Sequence, residues 1–250
     1  AKNLAELANK NGINTFHGYL DDKTMNPIKN GADLLLASNV FAHADDLKSM
    51  AESMKKLIKP DGKIIIEVQY LLNTIRDLTF DNIYHEHTNY WSLSALNIFF
   101  EKLDLKIFKV EKINTHGGSI RVFVSQDKDI LVNQSVNITL QEEEEFGLKN
   151  ISTYLEFGKK IENLKKEVVK NIKGLKKKYP SIIGYGAPAK ATTALNFFNI
   201  SKEIDYIIED NKLKHGKYIP GVNIKIVSKE EIKNEDQAIL VLAWNFFDEI

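Results

Sequence analysis

The sequence predicts an α/β fold with two α/β units in succession. Residues 33–40 form a continuous apolar run that ends in polar residues, as a central strand of a parallel sheet does. A helical stretch and a second apolar run at residues 63–70 follow, which gives a strand–helix–strand unit with parallel strands. Residues 181–208 show the same order of strand, helix and strand near the end of the chain.

The chain opens with a helix, because Leu4, Leu7 and Ala8 fall on one helical face. Gly12 ends this helix, since glycine adopts the left-handed conformation that closes a last turn. Residues 13–16 then form a short predicted strand.

The rest of the first unit surrounds the two apolar strands. Residues 45–58 form a helix whose first acidic residues suit the positive end of the helix dipole, and residues 60–62 form a turn. A helix over residues 94–103 precedes two β-rich runs, residues 105–110 and 119–124. We expect these two runs to pair in an antiparallel manner and to close the sheet.

A long helix is predicted from near Asn150 to Lys178, where apolar residues recur at helical spacing. The charged runs at residues 142–145 and 176–178 are interpreted as solvated faces and dipole-matched ends. The predicted domains are a methyltransferase-type unit at 1–128, a linker with the long helix at 129–178, and a C-terminal α/β unit at 179–250.

The C-terminal unit begins with a strand and turn at residues 181–186 and a helix at residues 189–198. A strand at residues 204–208 ends at two acidic residues, and residues 238–243 form a further strand.

Composition excludes several classes of protein. The 250 residues include 34 basic and 34 acidic side chains, so the net charge is zero and argues against nucleic-acid or anionic-membrane partners. Cysteine is absent, which excludes disulfides and thiolate metal sites in this chain. No apolar run approaches the roughly 20 residues needed to span a bilayer, and no signal peptide opens the chain, so we expect a cytoplasmic protein.

Tyr84, His85, Glu86 and His87 place four proton-handling side chains in a row, after an apolar strand. Histidine titrates near neutral pH, so acid–base catalysis is the favoured interpretation, with Tyr84 and Glu86 as partners of a histidine base. His43 follows another strand of the same predicted sheet and can join them. Metal binding and a polar turn with satisfied histidines remain the alternatives.

Two glycine-containing turns could bind a phosphate. Residues 116–121 combine paired glycines with Arg121, and residues 184–190 form a glycine-rich strand-to-helix turn with Lys190. The polar loop at residues 210–221 follows the next strand. A tight structural turn is the alternative for each, and a structural carboxylate is the alternative partner of Arg121. A negatively charged nucleotide is the ligand that the two C-terminal loops together indicate.

Taken with these motifs, the sequence resembles the sugar C-methyltransferases that add a methyl branch at C3 of nucleotide-linked keto-deoxysugars. The matching segments are residues 39–46, 83–87, 116–122, 184–190, 210–221 and 242–245. The resemblance implies a Rossmann-like class I methyltransferase sheet followed by a second Rossmann-like α/β domain. It also implies S-adenosylmethionine as cofactor and a nucleotide-linked keto-sugar as partner.

The resemblance assigns roles to individual residues. It makes His87 the base that removes a proton α to the ketone, with Tyr84, Glu86 and His43 in the same catalytic site. The expected substrate-binding residues are His116, Gly117, Ser119, Arg121, Tyr185, Lys190, Asn196, Asp210, Lys217 and Tyr218. The expected cofactor-binding residues are His17, Ser38 and Asn39, and no metal ligand is expected in this chain.

The sequence departs from the family at its ends. Members of the family begin with a cysteine-rich zinc-binding domain, followed by the glycine-rich loop that holds the methyl donor. This sequence has no cysteine, and it is expected to start just after that loop. We therefore expect this chain to be a fragment with a sheet that is incomplete at its N-terminus, to bind S-adenosylmethionine only weakly, and to lack methyltransferase activity alone. The alternatives are an NAD-dependent nucleotide-sugar oxidoreductase and a non-catalytic nucleotide-sugar-binding module.

Overall fold

The computed structural model describes residues 2–20, 31–232 and 236–247. The helices are α1 (Lys2–Lys10), α2 (Leu47–Leu57), α3 (Leu71–Arg76), α4 (Leu93–Glu101), α5 (Gln134–Phe146), α6 (Ile151–Lys178) and α7 (Ala189–Phe198). The strands are β1 (Ala32–Ser38), β2 (Ile58–Gln69), β3 (Lys106–Ile113), β4 (Ser119–Ser125), β5 (Ser181–Tyr185), β6 (Ile207–Ile208), β7 (Ile226–Val227) and β8 (Gln237–Val241). None of the described helices is long and apolar enough to cross a membrane.

The chain divides into two compact units, and both are discontinuous in sequence. The first unit contains Ala1–Tyr70, Thr88–Ile113 and Ser119–Glu145. The second contains Leu71–His87, Asn114–Gly118 and Phe146–Ile250. The second unit thus includes the segment that ends at His87 as well as the C-terminal residues. The division at residues 128 and 178 stays a prediction.

The first unit is built on a sheet with the strand order β1-β2-β4-β3. β1 pairs with β2 in parallel, as expected for strands joined by the crossover helix α2. β4 pairs with β2 and with β3 in an antiparallel manner, so the predicted antiparallel closure of the sheet is confirmed.

The structure corrects three predictions in this unit. Residues 13–16 are not a strand, because the side chain of Asn9 binds both the N–H and the carbonyl of Thr15 and so satisfies the backbone locally. Residues 60–62 are not a turn but part of β2, where the pairing register with β1 is irregular. β1 lies at the edge of the described sheet rather than at its centre, and Leu36 is 67% exposed.

α5 was not predicted, and it corrects the interpretation of residues 142–145 as a solvated face. Glu143 is only 2% exposed. Its carboxylate accepts hydrogen bonds from the backbone N–H groups of Leu93 and Ser94, in the first turn of α4. Ser92 caps the same helix by accepting from the N–H of Ala95. A buried side chain from α5 therefore completes the N-terminus of α4.

The second unit contains a fully parallel sheet with the order β7-β6-β5-β8. α7 has the predicted bounds, and α6 begins after Asn150 as predicted. β6 is shorter than predicted and β7 was not predicted, since two-residue strands leave no periodic pattern in a sequence. Ile172 of α6 and Leu195 of α7 belong to the buried apolar core.

Candidate active site

His87 is held in one orientation by its two ring nitrogens. Nδ1 lies 2.8 Å from the carbonyl oxygen of Asn82, and a carbonyl oxygen can only accept, so Nδ1 carries the hydrogen. Nε2 lies 3.1 Å from the hydroxyl of Tyr84 and is left as the acceptor in the neutral ring. Neutral His87 therefore keeps its basic lone pair on Nε2, beside the phenol of Tyr84.

A short turn brings these two side chains together. The backbone N–H of His87 donates to the carbonyl of Tyr84 at 3.0 Å, and the two ring centroids are 4.2 Å apart. Asn82, whose carbonyl orients the imidazole, ends the 3-10 turn Phe80–Asn82 and is 1% exposed. The position of the acceptor for Nδ1 is thus fixed by a buried turn.

The other members of the predicted cluster have different surroundings. The side chains of His85 and Glu86 are 87% and 58% exposed and lie 4.0 Å apart. His43 is an exposed residue of the first unit, at the end of the 3-10 turn Phe41–His43. The side chain of Asn89 donates to the carbonyl of Ala44 and helps to hold that turn.

A second cluster in this unit was missed by sequence reasoning. The indole N–H of Trp244 donates to Oδ2 of Asp81 at 2.7 Å, and Asp81 is 6% exposed. The ammonium of Lys190 lies 4.5 Å from the ring centroid of Trp244 and donates to Oδ1 of Asn245 at 3.1 Å. Trp244 is in a matched motif segment and Asp81 lies two residues before another, but their pairing spans 163 residues and leaves no local signal.

Burial perturbs the two charged groups of this cluster. It raises the pKa of the Asp81 carboxyl, although the hydrogen bond from Trp244 and the charge of Lys190 act in the opposite direction. Burial also lowers the pKa of the Lys190 ammonium, against the opposing effect of Asp81. Such shifts are frequent at functional sites.

The Asp81–Trp244 pair borders a largely apolar cavity of about 530 Å³ within the second unit. Its lining includes Gly117, Phe80 and Phe198. A cavity of this size falls in the range of small-molecule sites, which are mostly apolar with a few polar groups.

The turn at residues 116–121 contains two glycines with positive φ and a buried serine. Gly117 and Gly118 have φ of 83° and 106°, and a Cβ on Gly118 would lie 2.4 Å from the amide nitrogen of Asn73. His116 contributes its backbone to the turn Thr115–Gly117, and its side chain lies outside the described part of the structure. Ser119 belongs to the first unit and is 2% exposed.

Arg121, also in the first unit, is engaged with carboxylates. Its guanidinium lies 2.9 Å from Oε2 of Glu67 and 3.7 Å from Oε2 of Glu111. Glu67 is 7% exposed and also accepts from the side-chain amide of Asn39 at 3.2 Å. Glu67 was not singled out from the sequence, because its role depends on strand pairing opposite Arg121.

The glycine-rich turn after β5 is closed by Glu209. Its carboxylate accepts from the backbone N–H groups of Ala187 at 2.9 Å and Asn211 at 3.0 Å, and from Lys214 at 3.2 Å. Burial alone would raise the pKa of Glu209, but these hydrogen bonds outweigh it and leave that pKa below its usual value.

Five of the predicted substrate-binding side chains are at least partly accessible in the second unit. They are Tyr185, Asn196, Asp210, Lys217 and Tyr218. The hydroxyl of Tyr185 donates to Oδ2 of Asp210 at 2.8 Å, and this bond raises the pKa of Tyr185. The amide of Asn196 donates to the carbonyl of Pro220 at 3.0 Å and fixes the loop that follows Tyr218.

Comparison with known proteins identifies the family. Residues 114–250 match the family described as the C-methyltransferase C-terminal domain, and residues 4–110 match a methyltransferase domain. The chain belongs to the C-methyltransferase family. The C-methyltransferase NovU of Streptomyces niveus is 33% identical over 256 residues, a match that covers 100% of this chain and 61% of NovU. The chain therefore spans less than two thirds of that relative.

Solved structures show weaker similarity. The mitomycin 7-O-methyltransferase MmcR is 18% identical with a TM-score of 0.38, over 47% of this chain and 37% of MmcR. TnmH is 17% identical with a TM-score of 0.36, over 45% of this chain and 34% of TnmH. The predicted fold class, a Rossmann-like methyltransferase sheet followed by a second α/β domain, is confirmed by the two family matches and the two observed sheets.

The residues expected to bind the methyl donor in this C-methyltransferase chain lie in the first unit. Ser38 is exposed at the carboxyl end of β1, and Asn39 follows it with a φ of 53°. The amide of Asn39 is held by Glu67, and His17 is exposed in the extended segment after α1. Polar, accessible groups at the carboxyl end of a parallel strand fit the adenosine part of a cofactor. Among the described residues, no cluster of three or more His, Asp or Glu side chains could hold a metal.

Proposed function

We propose that this chain is part of an S-adenosylmethionine-dependent C-methyltransferase that acts on a nucleotide-linked keto-deoxysugar, at the carbon α to its ketone. The single observation that carries the proposal is the fixed orientation of His87, with Nδ1–H on the carbonyl of Asn82 and Nε2 beside Tyr84. A histidine base needs an orienting partner for one nitrogen and a basic lone pair on the other. The carbonyl of Asn82 orients Nδ1–H, and the lone pair of Nε2 accepts from the Tyr84 hydroxyl until a substrate C–H takes the place of that hydroxyl.

The proposed proton transfer uses only groups of the second unit. Nε2 of His87 removes the proton from the α carbon, and the electron pair of the broken C–H bond moves into the enolate. The imidazolium keeps its Nδ1–H on the carbonyl of Asn82, which accepts a stronger hydrogen bond from the charged ring. The hydroxyl of Tyr84 is then free to donate to the enolate oxygen. S-adenosylmethionine, when bound, supplies the electrophilic methyl group that the enolate carbon takes.

The nucleotide part of the substrate is assigned to the C-terminal loops. Lys217 is an exposed cation and Tyr218 is 57% exposed, so both are accessible to a diphosphate and a base. Lys190 is the second cation assigned to the substrate. It is 7% exposed, and burial lowers the pKa of its ammonium while the charge of Asp81 opposes that shift, so an anionic group beside it would stabilise the charged form. Arg121 is assigned a positioning role instead, because Glu67 and Glu111 already neutralise it.

Donor binding is assigned to Ser38, Asn39 and His17. The expectation that the 250-residue chain binds S-adenosylmethionine only weakly, with a Kd in the millimolar range or above (roughly −4 kcal/mol), stays a prediction. Equilibrium dialysis with labelled donor measures it directly. Micromolar binding would contradict this prediction.

The surroundings of Glu209 favour this function over an NAD-dependent oxidoreductase. In a dinucleotide fold, an acidic residue at the end of the second strand binds the ribose hydroxyls. Glu209 holds that position after β6, but its carboxylate is engaged by Ala187, Asn211 and Lys214. A ribose would have to displace three hydrogen bonds of the fold.

A non-catalytic nucleotide-sugar-binding module is the second candidate, favoured by the exposed polar loop around Lys217. Both candidates predict nucleotide binding, but only the enzyme predicts that the chain catalyses exchange of the α proton with solvent. Proton NMR of a nucleotide-linked keto-sugar in deuterated buffer separates them.

Nucleoside diphosphate is expected to bind the 250-residue chain with an affinity that falls as salt is added. Lys217→Met should raise the Kd about fivefold, since one exposed cation near a phosphate contributes about 1 kcal/mol. Isothermal titration calorimetry at two salt concentrations measures both effects. Lys229→Met, at an exposed lysine after β7, is the matched control and should leave the Kd unchanged. Equal affinities for all three proteins would contradict the assignment.

A further inference from the structure

Trp244 connects three segments of the second unit that carry proposed site residues. Its indole N–H binds the carboxylate of Asp81, in the turn whose last carbonyl orients His87. Its ring face lies under the ammonium of Lys190. Its outer edge packs on Gly117, where a Cβ would come within 2.7 Å of the indole Cη2 atom.

The bond from Trp244 to Asp81 is the anchor of this arrangement. Asp81 is buried, and a buried carboxylate is costly unless donors satisfy it. The Trp244 indole is the donor that comes from outside the turn, at 2.7 Å, while the remaining donors are backbone groups of the turn itself. Loss of the indole N–H would therefore leave the carboxylate underpaired, and the turn Phe80–Asn82 would shift as the carboxylate reorients toward another donor.

A shift of this turn would affect the reaction through the next residue, Asn82. Asn82 follows Asp81 directly, and its carbonyl fixes which nitrogen of His87 is protonated. A shift of the turn by a fraction of an ångström lengthens that 2.8 Å bond and weakens the preference for Nδ1–H. At the same time, the face of the indole fixes the ammonium of Lys190, which is further held by Asn245.

We infer that Trp244 is a positioning residue that sets the tautomer of His87 through Asp81 and holds the ammonium of Lys190. The inference rests on the proposed function for its catalytic meaning, but the tautomer of His87 is a property of the free protein. Trp244 touches neither the reacting carbon nor the methyl group in the proposed reaction, so its effect on the rate passes through His87 and Lys190.

The test is Trp244→Phe in the 250-residue chain, which keeps an aromatic ring over Gly117 and removes the N–H. Nitrogen-15 NMR of His87 should change from a single Nδ1–H tautomer to an average of both tautomers. Exchange of the α proton of a nucleotide-linked keto-sugar should slow by about tenfold to a hundredfold at saturating substrate, with a smaller change in KM. A merely structural role would lower the melting temperature and leave the His87 spectrum of the folded protein unchanged.

Trp91→Phe is the matched control. Trp91 is the other tryptophan of the chain, and within the described structure its buried indole N–H has no hydrogen-bond partner. This variant should retain the wild-type spectrum of His87. Asp81→Leu removes the acceptor instead of the donor, so it breaks the same link between Trp244 and the turn Phe80–Asn82. It should also give an average of both His87 tautomers, and it keeps the inference testable if Trp244→Phe does not fold.

The outcomes separate the inference from the proposed function. An unchanged His87 tautomer in both Trp244→Phe and Asp81→Leu would overturn the inference, whatever the wild type catalyses. A wild type that catalyses no proton exchange would overturn the proposed function, and the tautomer shift would still decide the role of Trp244.

Discussion

The His87→Asn variant is expected to lose exchange of the sugar α proton by about 10²–10⁴-fold, the range that a positioned general base contributes. Asparagine can still donate to the carbonyl of Asn82 and preserves much of the local packing, but it offers no basic nitrogen beside Tyr84. Binding of nucleoside diphosphate should remain at the wild-type level, because its assigned ligands lie in the C-terminal loops. Proton NMR in deuterated buffer gives the exchange rate, and calorimetry gives the affinity.

His85→Asn is the control that this motif offers. His85 lies two residues away and its side chain is 87% exposed, so the same substitution there removes a histidine without removing the proposed base. Exchange should stay at the wild-type rate. If His87→Asn exchanged as fast as His85→Asn, the base would have to be another group. Tyr84→Phe should have a smaller effect than His87→Asn, since it removes only the hydroxyl beside Nε2.

Local sequence patterns predicted those elements of the fold that have a periodic pattern of apolar residues or a short crossover connection. α7 and α6 were predicted closely because apolar residues at helical spacing define a buried face over several turns. The parallel pairing of β1 with β2 followed from the crossover between them. Residues 60–62 carry a turn pattern, yet the structure extends β2 through them by pairing with β1. Pairing between distant strands overrode the local preference in that segment.

In the candidate site, contacts between residues close in sequence were predicted and contacts between distant residues were not. Tyr84 and His87 are three residues apart, so one turn suffices to join them, and the sequence alone suggested the pair. The partners of Asp81 and Arg121 depend on contacts across the fold, which no local spacing encodes. The sequence left a phosphate and a structural carboxylate open as partners of Arg121, and the structure pairs its guanidinium with Glu67.

Glu143→Ala is expected to lower the free energy of unfolding by about 2–4 kcal/mol. This is a large effect on stability for a single substitution. The carboxylate satisfies the N–H groups of Leu93 and Ser94, which have no partner within α4 because they begin the helix. Removal of the side chain leaves the buried N–H of Leu93 and the partly buried N–H of Ser94 beside an apolar methyl group. It also removes a negative charge from the positive end of the helix. Denaturant unfolding followed by circular dichroism measures the loss.

Two further variants test whether the effect belongs to this carboxylate. Glu143→Gln keeps one oxygen acceptor and should recover part of the stability, because one of the two N–H groups can still be paired. Glu144→Ala changes the neighbouring glutamate, which is exposed on α5, and should change stability by no more than about 0.5 kcal/mol. If Glu143→Ala and Glu144→Ala were equally mild, Glu143 would be one charge of a solvated run, as the sequence first suggested. A large difference between the two would show that a single buried glutamate among four joins α5 to the N-terminus of α4.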